Sequence, residues 1–575
     1  MKRILAFLKP HWLQCVLAPL FKLLEAGFEL FVPLVVAAII DRGIGEGDDK
    51  YLFAMVGVLA LLAVVGCVFA IVAQYFAAKA ATGFASATRV ALFDKLQSLS
   101  YRELDALGTP TMVARLTTDV SQAETGVNLF LRLLMRSPFV VFGALIMAWV
   151  VDPPSAGIFA ATIPVLAIIV AVIMVVTIPL YRHAQEKQDK VLSLTRENVS
   201  GVRVIRAFGI EESERAHFHT AGDALHKAQI RAGRLSALTN PLTYVVINVA
   251  IIFILRTGAV RVENGELTQG EVVALYNYMS QILIELIKLA NLIVTVSKAI
   301  ASGKRMGAIL EMQTSITYPT TEPAPVEGAP AIAFDGVGLT YGGASAPAVQ
   351  EISFSIPAGG TLGVIGGTGS GKSTLVNLIP RFYDATEGVV TISGVDVKDY
   401  PRDTLRHKIA VVPQRATLFS GTIRDNLLWG DQNATDEELF AALRTAQALS
   451  VVENKPEGLD TRVEAGGKNF SGGERQRLTI ARALVRKPKI LILDDSASAL
   501  DYATDAALRR ALREDCEGMT VVTVSQRVAS VRHADTILVL QDGEVVGIGN
   551  DATLRENCPT YRDICLSQEK GRDAR

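Results

Sequence analysis

Gly366-Gly367-Thr368-Gly369-Ser370-Gly371-Lys372-Ser373-Thr374 decides how this chain is read. It fits G-x-x-x-x-G-K-[ST], and it stands between two apolar runs, residues 361–365 and 375–379, so that a strand enters the loop and a helix leaves it. In that setting the glycines let the backbone curl until its N–H groups and the N-terminus of the following helix face polyphosphate. Lys372 then reaches the outer phosphates, and the Ser373 hydroxyl is a ligand for Mg²⁺. The stretch predicts a site for a nucleoside triphosphate and its metal.

The rest of the chain is too apolar for a soluble protein of this size. Of 575 residues 50% are hydrophobic and only 20% charged, with a mean hydropathy of +0.32. A length of 575 residues implies several domains. The net charge of -1 gives no sign of nucleic-acid binding and hides an uneven distribution: long apolar blocks fill the first half, while charge and glycine-rich motifs fill the second. Cys15, Cys67, Cys516, Cys558 and Cys565 have neither metal-ligand nor disulfide-scaffold spacing. Met1-Lys2-Arg3 opens on basic residues, but the apolar segment behind it is too long and too charged for a cleavable signal peptide.

Six apolar segments are long enough to cross a lipid bilayer, which takes about 20 residues each. They lie near 13–40, 52–78, 128–151, 155–181, 240–261 and 272–300. Residues 79–126 and 182–238 between them are polar but rich in helix formers, which predicts that the spanning helices continue well beyond the bilayer. Both stretches are basic (Arg89, Lys95, Arg102, Arg115; Arg196, Arg203, Arg206, Arg215), whereas loops 41–50 and 151–154 are short and poor in base. The positive-inside rule puts the basic stretches and both termini in the cytoplasm, with the cell membrane as the expected location. Two polar stripes interrupt the spans: Lys22, Glu25 and Glu29 on one face of the first, and Asn277, Gln281, Glu285 and Lys288 on one face of the sixth. They either line a path through the membrane or pair internally, Lys22 with Glu25 and Glu285 with Lys288.

After residue 300 the pattern breaks into Tyr318-Pro-Thr-Thr-Glu-Pro-Ala-Pro, a proline-rich linker. The expected organisation is an all-α six-helix transmembrane domain over 1–315, a linker over 316–330 and an α/β nucleotide-binding domain over 331–575. Strands are expected at 332–334, 352–356, 361–365, 409–412, 490–493, 521–524 and 536–540, forming a largely parallel core.

Further motifs follow in a fixed order. Tyr341 precedes the phosphate loop, Gln414 sits in Val411-Val-Pro-Gln-Arg, Phe470-Ser-Gly-Gly-Glu-Arg-Gln-Arg comes next, and Ile490-Leu-Ile-Leu-Asp-Asp-Ser-Ala-Ser-Ala-Leu-Asp closes the series. This order, with six spans ahead of it, resembles the ATP-binding-cassette (ABC) transporters over essentially the whole chain, and within them an exporter-type half-transporter. Tyr341 offers a ring on which adenine can stack. Asp494 ends a buried apolar strand, where coordination through Mg²⁺ accounts for its charge, and Gln414 reaches the metal or the attacking water. The resemblance implies that Ser471, Gly472, Gly473 and Glu474 close over the ATP of a second cassette, so that transport needs a second half-transporter, the bilayer around both, and a transported small molecule. It also assigns 113–120 and 205–212, with Phe208 and Gly209, to contacts with the cassettes.

The chain departs from that pattern where hydrolysis is performed. Family members carry glutamate directly after the strand-ending aspartate; here Asp495 follows Asp494 and falls short by about 1.3–1.5 Å, a misplacement that can slow a reaction about a hundredfold. The switch histidine is replaced by Gln526, which donates a hydrogen bond but relays no proton, and His533 lies seven residues further on. The sequence Val463-Glu-Ala-Gly-Gly467 lacks the acidic and basic pair that exporters show before the signature. With Asp495, Gln526 and Gln414 as its catalytic positions, the expected site grips ATP and hydrolyses it weakly, and the expected partner is a different chain that carries the glutamate and the histidine. The fold leaves open an importer of a siderophore-like molecule and a regulatory ATP-binding subunit.

Overall fold

The computed structural model describes residues 2–573 apart from 325 and 497. The chain divides into two compact units, Met1–Ser98 with Gly108–Met312, and Leu99–Leu107 with Gln313–Arg575.

Among the described residues of the first unit, six helical segments are long and apolar enough to cross a membrane: Lys9–Ile44, Asp49–Ser98, Thr109–Val151, Pro153–Ser200, Glu211–Glu263 and Gln269–Glu311. The second runs for 50 residues. At 1.5 Å per residue it is about 75 Å long against about 30 Å of hydrocarbon, so the apolar stretch and the polar extension are one continuous helix. The sixth begins in a capping box, Thr268 with Glu271. The Asp41 carboxylate accepts from the Thr268 hydroxyl at 2.6 Å and the Gly270 N–H at 2.8 Å, and so ties that helix start to the end of the first span.

The polar stripes turn out to be parts of one charged network. Lys22 pairs with Glu25 at 2.5 Å and Lys288 with Glu285 at 2.8 Å. Arg136, on the third span, joins the two: its guanidinium meets Glu29 at 2.6 Å and also binds Glu285. Ser137 Oγ donates to the second Glu285 oxygen at 2.8 Å. Arg136 is 6% exposed and Glu285 3%, so neither charge is solvated and each depends on the other. Three carboxylates thus face three cations across three helices, and internal pairing, one of the two readings of the stripes, is present.

A second network is centred on Asp119. Asp119 is 3% exposed and receives Arg115 at 2.7 Å, Arg305 Nε at 3.0 Å and Ser302 Oγ at 3.0 Å. Within this chain Asp119, from the stretch 113–120, thus ties the third and sixth spans together. The part of the first extension that groups with the cassette is Leu99–Leu107. In the second extension, helix Val202–Phe208 ends at Gly209 in the left-handed conformation, with Phe208 76% exposed.

The described residues of the second unit form two main sheets and a third of two strands, Gly421–Thr422 and Arg462–Val463. The strands are β1 (Ile332–Leu339), β2 (Val349–Ile356), β3 (Thr361–Gly366), β4 (Glu387–Ile392), β5 (Val395–Asp396), β6 (Ile409–Val412), β7 (Gly421–Thr422), β8 (Arg462–Val463), β9 (Ile490–Asp494), β10 (Thr520–Ser525), β11 (Thr536–Gln541) and β12 (Glu544–Gly549). The larger sheet has the order β12-β11-β3-β10-β9-β6. It is parallel from β11 to β6, with β12 an antiparallel edge. The smaller, β2-β1-β4-β5, is antiparallel. A core including Phe334, Ile352, Val364, Leu375 and Leu538 fills the space between them. Each strand expected from the sequence is present. The antiparallel sheet as a separate layer was not expected, because β4 is exposed over its first three residues and buried at only two positions, which leaves little period-two signal in the sequence.

The buried network sets a stability prediction. Arg136→Leu leaves Glu285 with Lys288 alone as counterion and Glu29 with none of the partners shown, and breaking such a buried pair costs about 3–5 kcal/mol. The expected outcome is a clear fall in the thermal unfolding temperature of the protein in lipid nanodiscs, restored in large part by adding Glu285→Gln.

Candidate functional site

Parallel strands deliver their C-terminal ends to one edge of the larger sheet, where ligands of open α/β sheets bind. There β3 ends at Gly366, β9 at Asp494 and β10 at Ser525. Because β10 pairs with both β3 and β9, the phosphate loop, the paired aspartates and the Ser525-Gln526-Arg527 loop come together. The loop is built as its glycines require. Gly371 has φ +92°, and a Cβ there would meet the Ala348 carbonyl at 2.7 Å; a Cβ on Gly366 would meet the Leu540 carbonyl at 2.2 Å.

Lys372 is buried, its ammonium donating to the carbonyls of Gly366 at 3.0 Å and Gly367 at 2.5 Å. Ser370 Oγ lies 3.4 Å from it. Burial lowers its pKa, opposed by the charges of Asp495 and Asp494. Ser373 Oγ donates to Asp494 Oδ1 at 3.1 Å. Two hard oxygens at that separation suit adjacent ligands of one Mg²⁺, directly or through a metal-bound water. Burial raises the Asp494 pKa, as does Asp495 beside it. Asp495 is also raised, chiefly by burial. Its carboxylate accepts from Gln414 Nε2 at 3.3 Å, and its backbone sits at φ +44°, held by an N–H bond to the Val524 carbonyl at 2.9 Å.

These groups border one cavity of about 470 Å³, whose lining includes Lys372, Ser373, Gln414, Asp494, Asp495 and Gln526. Thr368, Gly369, Gly371 and Thr374 complete the loop's share of it. Tyr341 approaches from the side: its hydroxyl donates to Thr374 Oγ1 at 3.2 Å. Its ring packs at right angles to that of Tyr383, centroids 5.2 Å apart at 89°. Tyr383 in turn donates to Asp105, while Tyr101 stacks on Phe382 at 4.5 Å. The short helix Tyr101–Leu107 is thus bound to the aromatic group that flanks the phosphate loop. Sequence reading missed this contact, since no signal in 99–107 sets it apart from the surrounding helix.

The signature residues are elsewhere. Among the described residues that line the cavity none belongs to 471–474. Ser471 caps helix Gly472–Val485 in a reciprocal box: its hydroxyl accepts from Glu474 N at 3.3 Å, and the Glu474 carboxylate accepts from Ser471 N at 2.7 Å. That N–H bond, with the hydroxyl's, outweighs the opposing effect of burial and keeps Glu474 below the usual carboxylate range. The Glu474 side chain is committed to the cap, while the helix N-terminus with Gly472 and Gly473 remains open to an anion. His533 borders a different cavity, with Arg509 and Arg513. Burial and the guanidiniums of Arg532, Arg509 and Arg513 hold it below its ordinary pKa. It does not stand in for a switch histidine.

Comparison with known proteins agrees with this architecture. The family described as ABC transporter transmembrane region matches residues 15–286, and that described as ABC transporter matches 349–498. The chain is 35% identical over 565 residues to an uncharacterized ABC transporter ATP-binding protein of Mycobacterium tuberculosis, covering 98% of this chain and 97% of that one. It is 31% identical over 564 residues to an ATP-dependent lipid A-core flippase of Thiobacillus denitrificans, covering 98% and 97%. A solved bacterial Atm1-family ABC exporter with ATP bound shares the fold at a TM-score of 0.80 and 24% identity, over 96% and 98% of the two chains. Six apolar helices followed by a nucleotide-binding α/β unit define an ATP-coupled membrane transporter with the fold of an exporter half. The chain belongs to the ABC transporter family.

The raised Asp494 pKa has a sign that can be checked. A carboxyl whose folded pKa exceeds its unfolded value stabilises most at low pH, and that contribution is lost as pH rises through the folded value. At pH 7.5 the ionised group therefore opposes the nucleotide-free fold. Asp494→Asn is expected to raise the nucleotide-free unfolding temperature at pH 7.5, to lose that gain as pH falls toward about 4, and to abolish the extra stabilisation that Mg²⁺ adds to ATP, all read by differential scanning fluorimetry.

Proposed function

We propose that the chain is the ATP-gripping half of a heterodimeric exporter of the cell membrane, its cassette and both termini cytoplasmic. The observation that carries this reading is the cavity itself. It combines an intact phosphate loop with Asp495 and Gln526, and among its described lining residues there is no glutamate and no histidine. Lys372 and the loop N–H groups bind and orient the phosphates. Ser373 and Asp494 would hold Mg²⁺, which would supply charge neutralisation to the phosphates. Asp542 also lines the cavity, but Asp495 is the carboxylate that directly follows Asp494, where the family carries its glutamate. It lacks the reach of glutamate, and part of its capacity is taken by Gln414. Gln526 supplies a neutral amide where a proton-relaying imidazole is absent.

The two halves then share labour. Ser471, Gly472 and Gly473 of this chain complete the phosphate loop of a different half-transporter whose own glutamate and histidine perform hydrolysis. Binding of ATP at both loops closes the cassettes to the extent that ATP favours the closed state, and hydrolysis at the partner's loop reopens them. Phe208, exposed at the end of the second extension, fits the role of a knob seated on the partner's cassette. A substrate with an apolar body and a polar head, such as an amphiphilic drug, a lipid or a lipidated peptide, suits spans that are apolar over most of their length with charge gathered around Arg136. The relative from Thiobacillus denitrificans, named as a lipid flippase, supports that class.

The test is a gain of function. With the partner's site silenced, Asp495→Glu together with Gln526→His is expected to raise ATP turnover of the assembled transporter by about tenfold or more. Brisk, transport-coupled ATPase activity from this chain alone, abolished by Asp495→Asn, contradicts the reading.

A further inference from the structure

The Ser525-Gln526-Arg527 loop is held from two sides. On one, the Arg527 guanidinium donates to the Leu500 carbonyl at 3.3 Å and the Ser498 carbonyl at 3.1 Å. On the other stands Gln568, 42 residues further along the chain, on helix Pro559–Asp573. Its Nε2 donates to the Gln526 carbonyl at 2.7 Å, and its Oε1 accepts from the Val528 N–H at 2.9 Å. One carboxamide thus pairs with both backbone groups as a neighbouring strand would, fixing the peptide plane from which the Gln526 side chain departs. Geometry matters more here than for a charged group, since a neutral amide acts only through a directed hydrogen bond.

The helix carrying Gln568 is itself anchored. Tyr561 is fully buried and donates to Asp551 at 2.6 Å. Arg555 reaches Glu569, one residue past Gln568, at 3.1 Å. Cys558, Tyr561 and Cys565 share a core with Val528 and with Ile365, the residue that leads into the phosphate loop. We propose that the C-terminal helix is a strap on this loop, with Gln568 a positioning residue that holds Gln526 over the outer-phosphate end of the cavity and so sets the preference of the site for ATP over ADP. This rests on the assignment of Gln526 to that end of the nucleotide.

The experiment uses the full chain in lipid nanodiscs, with MgATP and MgADP dissociation constants measured by titration calorimetry. Gln568→Leu, which keeps volume and removes both hydrogen bonds, is expected to weaken MgATP by about tenfold and leave MgADP unchanged. Gln568→Asn, which keeps the amide but withdraws it by one methylene, gives the same pattern and serves if the leucine variant does not fold. Gln526→Ala is expected to lower the ATP-to-ADP preference similarly, and Gln568→Leu added to it to cause no further loss. Equal weakening of both nucleotides, additive losses, or no effect of either Gln568 variant overturns the strap while Gln526→Ala still lowers the preference. If Gln526→Ala leaves the preference unchanged, the assignment of Gln526 fails and the strap with it.

Discussion

Everything in the cassette is arranged around one desolvated ammonium. Lys372 is taken out of water and turned back onto the Gly366 and Gly367 carbonyls, where the charges of Asp494 and Asp495 offset part of its desolvation. Placing it requires β3 to end where it does, glycines where a side chain would strike the Ala348 and Leu540 carbonyls, and a helix beginning at Lys372 itself. The aspartates that face it come from β9, one strand beyond β10, so the parallel order of the sheet determines the spacing between cation and carboxylates.

The same constraint, that no buried charge stands alone, organises the membrane unit. Arg136 between Glu29 and Glu285, and Asp119 between Arg115 and Arg305, each tie two or more spans together. In the bundle the charges satisfy one another. In the cassette Lys372, Asp494 and Asp495 border one cavity beside the phosphate loop, which separates a binding site from a scaffold.

How much of this was legible in the sequence follows from how local each determinant is. The phosphate loop, the signature and the strand before Asp494 are contiguous strings, so the α/β cassette and its nucleotide were readable, as were six spans from apolar length alone. Lys22–Glu25 and Glu285–Lys288 were readable too, since a helical spacing of three brings them together. Arg136 was not, because its partners lie 107 and 149 residues away. Nor was Gln568, which meets the switch loop only after the C-terminal helix folds back. The burial of Asp119 was not readable for a related reason: its partners Ser302 and Arg305 lie 183 and 186 residues away.

The central claim is that this chain's phosphate loop keeps its nucleotide while hydrolysis proceeds elsewhere. The direct measurement loads the assembled transporter with ATP labelled at both the α- and γ-phosphates and follows both labels at this chain's site through many turnovers. The account predicts that the two labels stay together and in equal amount while the partner site releases phosphate. Loss of the γ-label from this site at the rate of overall turnover would contradict it.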